Sequence, residues 1–274
     1  MDIAAHPIFI RSWFAPSLFR PNLFHYADAC RVCGMEPVFC LAGEEENFKP
    51  SLDQITSRLA HVDTVFICNP NNPTGQLIPV QSLKQIIETY PSVRFVVDES
   101  YLPFVPNWET ETLATAPADN VIVLQSFSKI FAIPGLRLGF LIATPKIINA
   151  FRPFKQPWSV NRLAQVAGSF LVSQKSFVQE VARFVQKERK VFLDHLEALD
   201  TLLSFPSTVH FILFRLKGAL MAPDLFRVMA EHKILIRDCS NFHGLSDRFI
   251  RIALKTSEAN KACADILISA LSRQ

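Results

Sequence analysis

The chain has 274 residues, 49% of them hydrophobic and 19% charged, with a formal net charge of +3. Such a length can bury one large core or two moderate ones. A charge this small gives no reason to expect nucleic acid or an anionic membrane as a partner, and no apolar run reaches the roughly eighteen residues a bilayer span requires.

In chain order, residues 1–20 contain no glycine and are rich in aromatics, with Phe9, Trp13, Phe14 and Phe19. Arg11 and Pro16 interrupt the only apolar stretch there, so it does not read as a secretory leader and the cytoplasm is the expected location. A helix is predicted from about Tyr26, carrying Cys30 and Cys33. No second cysteine pair follows at zinc spacing, so the six cysteines read as reduced thiols and no metal is expected. Apolar runs predict strands over 63–68, 93–98, 121–125 and 138–143, alternating with helical segments such as 79–89. This alternation argues an α/β fold with a mostly parallel mixed sheet. Helical periodicity then dominates from Asn161 to about Leu199, including a long stretch from Ser176 to Ala198. Strands near 209–215, 234–237 and 248–254 follow, with a closing helix capped by Thr256 or Ser257. The expected division is a large domain over 1–160, linking helices over 161–200, and a small C-terminal domain over 201–274.

Three of the predicted strands end in polar clusters. Val65-Phe66-Ile67-Cys68 runs into Asn69-Pro70-Asn71-Asn72-Pro73-Thr74-Gly75. Phe95-Val96-Val97 runs into Asp98-Glu99-Ser100-Tyr101. The run Val121 to Leu124 leads to Ser126-Phe127-Ser128-Lys129, eight residues before Arg137 in Gly135-Leu136-Arg137-Leu138-Gly139. Each has a plain reading when taken alone: a turn-rich loop, a helix N-cap acid, an exposed lysine. Together they fall where open α/β sheets bind ligands, at the carboxyl ends of strands. Two hydroxyls and a guanidinium suit a dianionic phosphate. An amine near cationic groups is held toward its neutral, nucleophilic form, and a buried carboxylate stabilises a protonated ring nitrogen. The set fits a lysine that carries pyridoxal phosphate. Further on, Arg248 to Leu254 alternates like a half-buried strand and presents Arg251.

Asn72-Pro73-Thr74-Gly75, Asp98-x-x-Tyr101 and Ser126-x-Ser128-Lys129 with Arg137, spread over about residues 20 to 272, resemble the fold-type I pyridoxal-phosphate enzymes of the class I/II aminotransferase group. The resemblance implies a three-layer αβα sandwich with a small C-terminal α+β domain, and a homodimer with active sites at the subunit boundary. It implies that Lys129 forms the Schiff base, Asp98 pairs with the pyridine nitrogen, and Asn72 and Tyr101 bond the ring's 3-oxygen. Ser126, Ser128 and Arg137 would hold the cofactor phosphate, and Arg251 would grip the substrate α-carboxylate as a fork.

Within that group, Ile133-Pro134-Gly135-Leu136-Arg137-Leu138-Gly139, Gln156-Pro157-Trp158-Ser159-Val160-Asn161 and Ile234 to Phe242 look most like threonine-phosphate decarboxylases of cobalamin biosynthesis, with histidinol-phosphate aminotransferases next. This implies Asn161 near the substrate carboxylate and Arg237 near a substrate phosphate. The implied reaction takes O-phospho-L-threonine to (R)-1-aminopropan-2-yl phosphate; the alternatives are a histidinol-phosphate-type aminotransferase or a truncated, non-catalytic remnant. The recognisable match begins around Pro21, and the glycine-rich loop that helps relatives bind the cofactor phosphate is not found before it. About a quarter of a typical member is therefore expected to be missing. In Pro21-Asn22-Leu23-Phe24-His25-Tyr26, leucine stands where an aromatic would stack on the cofactor, with Phe24 beside it as a substitute.

Overall fold

The structure is a computed structural model that describes residues 3–10 and 26–272. Three short runs rich in β-branched and aromatic residues form β3 (Thr64–Cys68), β4 (Arg94–Asp98) and β5 (Val121–Ser126), paired in parallel with Val65 opposite Phe95 and Phe95 opposite Val121. They are the heart of a six-stranded mixed sheet ordered β2-β1-β3-β4-β5-β6, in which β1 (Ile3–Ile10), β2 (Pro37–Gly43) and β6 (Gly139–Ile142) run antiparallel to their neighbours.

Side chains alternate across a strand, so each central strand has two buried faces. Val65, Ile67, Phe95, Val97, Val121 and Val123 lie under α2 (Leu52–Leu59) and α3 (Val80–Thr89), whereas Val96 and Ile122 meet Ile147 of α5 (Pro145–Phe151) on the opposite face. Helices on both faces make the αβα sandwich. Helix α3 forms because Val80, Leu83 and Ile87 recur at helical spacing and give it one buried stripe. Helix α2 starts at a reciprocal Ser51–Gln54 capping box. Complete burial of a Val, Leu or Phe side chain contributes about 1.5–3 kcal/mol, which makes this two-sided core the main anchor of the strand ends. Near the chain start, α1 (Tyr26–Val32) buries Cys30, and all six cysteines are free thiols.

The C-terminal part holds a second, antiparallel sheet ordered β7-β8-β10-β9, made of β7 (Leu202–Ser204), β8 (Phe211–Leu216), β9 (Arg237–Asp238) and β10 (Phe249–Ala253). One face packs on α7 (Lys175–Leu196), α8 (Ala222–Glu231) and α9 (Ser257–Leu271) through Phe192, Leu225, Met229 and Leu267. Its other face buries Leu213 and Phe249 against Phe48 and Phe205. Buried Glu188 of α7 is satisfied by Ser257 and Asn260 of α9, so its charge ties the two helices together. The two sheets are joined at a strand-end loop, where the Thr208 amide and hydroxyl both donate to the Gly75 carbonyl at 2.9 Å.

The strand predicted over 234–237 shrinks to Arg237–Asp238. Lys233 takes a left-handed φ of 62°, and the Ile234 amide still bonds Met229 of α8, so the chain is leaving a helix there. Among the described residues, no helix is long and apolar enough to cross a membrane.

Candidate active site

Strands β3, β4 and β5 end side by side, and each end delivers part of one polar cluster. Cys68 pairs with Asp98 and Asp98 with Leu124. The alignment continues past the ladder, with the Asn69 amide on the Asp98 carbonyl and the Glu99 amide on the Leu124 carbonyl, both at 2.8 Å. Alternation then separates two adjacent acids. Asp98 faces the cluster, where Oδ1 accepts from the Ser100 amide at 2.8 Å and Oδ2 accepts from the Tyr26 phenol. Glu99 points into the core, held by Thr112, the Leu113 amide and Gln125, and burial raises its pKa despite those bonds.

Tyr26 stacks on Phe66 with ring centroids 5.3 Å apart. Burial, reinforced by the Asp98 carboxylate, pushes its phenol well above the usual tyrosine range, so it stays a donor. Tyr101 stands edge-on to Phe211 at 5.1 Å and is pushed up to about 12, first by burial, with the Arg251 cation opposing. Burial also raises the Cys68 thiol, with Asp98 adding to the shift.

The loop after β3 is braced by Asn69, whose side chain both donates to and accepts from Ile78 at 2.9 and 2.8 Å. Gly75 closes it at φ +71°, where an added Cβ would lie 2.1 Å from the Ser207 hydroxyl. The loop presents Asn72, whose Oδ1 accepts from Arg251. Arg251 comes from β10, where its neighbours are Leu213 on one side and Arg237 on the other. Its guanidinium carbon lies 4.8 Å from the centre of the Phe211 ring, and burial lowers its pKa.

Lys129 is exposed and sits in the one-turn helix α4 (Phe127–Ile130) directly after β5. Ser126 caps that turn through the Ser128 amide at 3.1 Å. Ser126 also pairs with Gly139 of β6, which brings Arg137, in a left-handed conformation at φ 54°, to the same strand end. The exposed Arg137 side chain bonds the Pro134 carbonyl at 3.2 Å.

Two of the sequence-predicted residues carry structural bonds. Asn161 is the N-cap of α6 (Arg162–Leu171), accepting from the Ala164 amide at 2.9 Å and donating to the Leu136 carbonyl at 3.0 Å, so it fastens the turn that carries Arg137. Arg237 bonds Asn241 at 2.8 Å and lies 5.4 Å from the Phe242 ring centre. Phe24 and the rest of the stretch Pro21 to His25 lie outside the described residues.

Sequence reasoning missed His210. Its ring packs 4.0 Å from Phe104, 5.2 Å from Phe211 and 5.8 Å from Tyr101. Burial, then the charges of Arg251 and Lys129, push it down to about 3. No local signal marks it beyond its place just before the apolar run Phe211 to Phe214. Two shallow depressions elsewhere, one beside Leu193 and Leu202 and one beside His61 and Tyr90, include none of these residues.

The donor set fits pyridoxal phosphate. Hydroxyls of Ser126 and Ser128 with the Arg137 guanidinium suit its phosphate, Asp98 suits its ring nitrogen, Asn72 and Tyr101 suit the ring oxygen, and Lys129 suits the aldehyde. One contact departs from that pattern, since Tyr26 already bonds Asp98.

The profile of the class I and II aminotransferases matches residues 18–267. A histidinol-phosphate aminotransferase from Ruminiclostridium cellulolyticum is 30% identical over 257 residues, 90% of this chain and 68% of that protein. The crystal structure of L-threonine-O-3-phosphate decarboxylase from Porphyromonas gingivalis is 32% identical with a TM-score of 0.71, over 78% of this chain and 66% of that one. That of histidinol-phosphate aminotransferase from Clostridium acetobutylicum is 27% identical with a TM-score of 0.78, over 84% and 70%. The chain thus spans about two thirds of the length of these relatives. With its lysine, aspartate, tyrosine and asparagine carried on three adjacent strand ends and a family profile covering nearly all of it, the chain belongs to the class I and II aminotransferases, whose cofactor is pyridoxal phosphate.

Proposed function

We propose that this chain is a decarboxylase of a small phosphorylated amino acid, O-phospho-L-threonine, releasing carbon dioxide and (R)-1-aminopropan-2-yl phosphate. The observation that carries the reading is the register pair Arg251–Arg237 between β10 and β9. Side chains directly opposite in an antiparallel pair share a face at about 4.5–5.5 Å between Cβ atoms, and like charges there repel. A ligand with two anionic ends, a carboxylate and a phosphate, turns that repulsion into attraction. Likeness to the threonine-phosphate decarboxylase supports the same choice.

When bound, pyridoxal phosphate supplies an electron sink for the pair released from a bond at the substrate α-carbon. Asp98 would hold a proton on the ring nitrogen by charge pairing. Asn72 and Tyr101 would orient the ring through its oxygen, and Ser126, Ser128 and Arg137 would anchor the phosphate end. Lys129 would hold the aldehyde end of the cofactor and, as a free amine, would deliver the proton that replaces the departing carboxylate at the substrate α-carbon. Arg251 would fix the carboxylate through its paired N–H groups, and Arg237 would meet the substrate phosphate.

The same reading makes the enzyme a cytoplasmic homodimer serving cobalamin biosynthesis. A second reading, transamination of a histidinol-phosphate-like amine, has support from the likeness to histidinol-phosphate aminotransferases. Product analysis decides between them. Carbon dioxide formed without a keto-acid acceptor supports the lyase, and turnover that requires a keto acid overturns it.

A further inference from the structure

Two polar atoms stand without a partner on one wall of the site. Nδ1 of His210 and Nε of Arg251 are both buried and make no hydrogen bond. Both side chains rest on Phe211, the imidazole centroid at 5.2 Å and the guanidinium carbon at 4.8 Å from the ring centre. Arginine can only donate, and a neutral imidazole donates through one ring nitrogen. Burial and the cations Arg251 and Lys129 keep His210 in that neutral form. A buried polar nitrogen left unpaired is costly, and with the imidazole proton on Nδ1 both atoms are donors, which calls for an oxygen that accepts from both. The neighbouring charges are those of Arg251, Arg237 and Lys129, and an anion is what such a surface collects.

We infer that His210 is a substrate-binding residue whose Nδ1–H donates to the same carboxylate that Arg251 grips. The inference rests on the role proposed for Arg251 and adds a second donor to it. Phe104 and Tyr101 flank the imidazole and fix its plane, so the donor is oriented before the ligand arrives. Because the ring is neutral, it supplies direction without adding a further charge, and it selects for an acceptor at that point.

Calorimetric titration of the full chain tests this, with pyridoxine phosphate present as a cofactor analogue that has no aldehyde. The two probes are O-phospho-L-threonine and 1-aminopropan-2-yl phosphate, which lacks the carboxylate. His210→Phe is expected to weaken the first probe about ten- to hundredfold, the loss of one hydrogen bond to a charged group, and to leave the second unchanged. His210→Asn, which retains a donor, recovers part of the loss. Equal weakening of both probes, or of neither, overturns the assignment. Arg251→Gln in the same titration separates the two layers of the reading: if it also treats both probes alike, or if the unmodified chain binds no O-phosphothreonine, the role of Arg251 has failed. Discrimination by Arg251→Gln without discrimination by His210→Phe removes His210 alone. Should His210→Phe not fold, the ¹⁵N imidazole resonances of His210 in the unmodified chain serve instead. They should move with the first probe and not with the second, and an equal response to both overturns the inference.

Discussion

The phenol of Tyr26 donates to Oδ2 of Asp98, the carboxylate that would face the cofactor ring nitrogen. With the Ser100 amide on Oδ1, both oxygens of Asp98 are engaged. A cofactor entering this site therefore competes with a neutral phenol for one of them. A pyridinium is the stronger partner, because its hydrogen bond is charge-assisted. Tyr26→Phe keeps the stacking on Phe66 and removes the competitor, so cofactor affinity should rise by about 0.5–1.5 kcal/mol in an absorbance titration. Weaker binding by the variant would mean that Tyr26 supports the cofactor instead.

Replacement of Asp98 by asparagine keeps the shape of the side chain and deletes its charge. The cofactor should still bind, but turnover should fall by at least about a hundredfold, the scale of losing a preorganised electrostatic partner. The check is the rate of product formation at saturating cofactor; a rate near that of the unmodified chain would detach Asp98 from the chemistry.

Arg251→Lys retains a positive charge and loses the fork. Substrate binding should weaken by about 1.5–3 kcal/mol, the range of a hydrogen bond to a charged group. An unaltered dissociation constant would leave Arg251 with only its contacts to Asn72 and Phe211.

Much of the large sheet was legible because central parallel strands are buried on both faces and read as continuous apolar runs, which is why β3, β4 and β5 and their polar ends stood out. Strand β2 was not read. Its buried positions include Cys40 and Ala42, while Val38 is exposed, so the larger side chain faces outward and the period-two signal is inverted. The Arg251–Arg237 pair depends on register between strands that the sequence places without aligning. His210 was missed for a related reason: beyond the adjacent Phe211, its environment is made by Tyr101, Phe104, Arg251 and Lys129, none of them close in sequence. Asn161 was legible as part of a motif, yet its visible work is capping α6.

Gly75 links the two halves of the fold, and its left-handed backbone has no room for a side chain. Gly75→Ala should cost about 1–3 kcal/mol from backbone strain, with the clash at Ser207 adding to it. Urea unfolding reads this directly. A stability equal to the unmodified chain would contradict the packing of Ser207 on this loop.

His210 also sets a pH dependence. Its folded value lies near 3, whereas an unfolded histidine takes up a proton below about 6.5. Stability linked to His210 is therefore complete above about pH 6.5 and is lost as pH falls from there through the folded value, with a slope of up to about 1.4 kcal/mol per pH unit. Glu99, raised by burial, acts in the opposite sense in the carboxylate range. Comparing the unmodified chain with His210→Asn isolates the histidine contribution, and the variant should lose less stability between pH 6 and 4. Parallel curves would show that His210 titrates normally.

Lys129 is the residue on which the chemistry turns, and an absorbance titration with pyridoxal phosphate tests it most directly. The unmodified chain should develop a visible band as cofactor is added, and Lys129→Ala should show none. The same band in both proteins would contradict the assignment of Lys129 and, with it, the reading of the site.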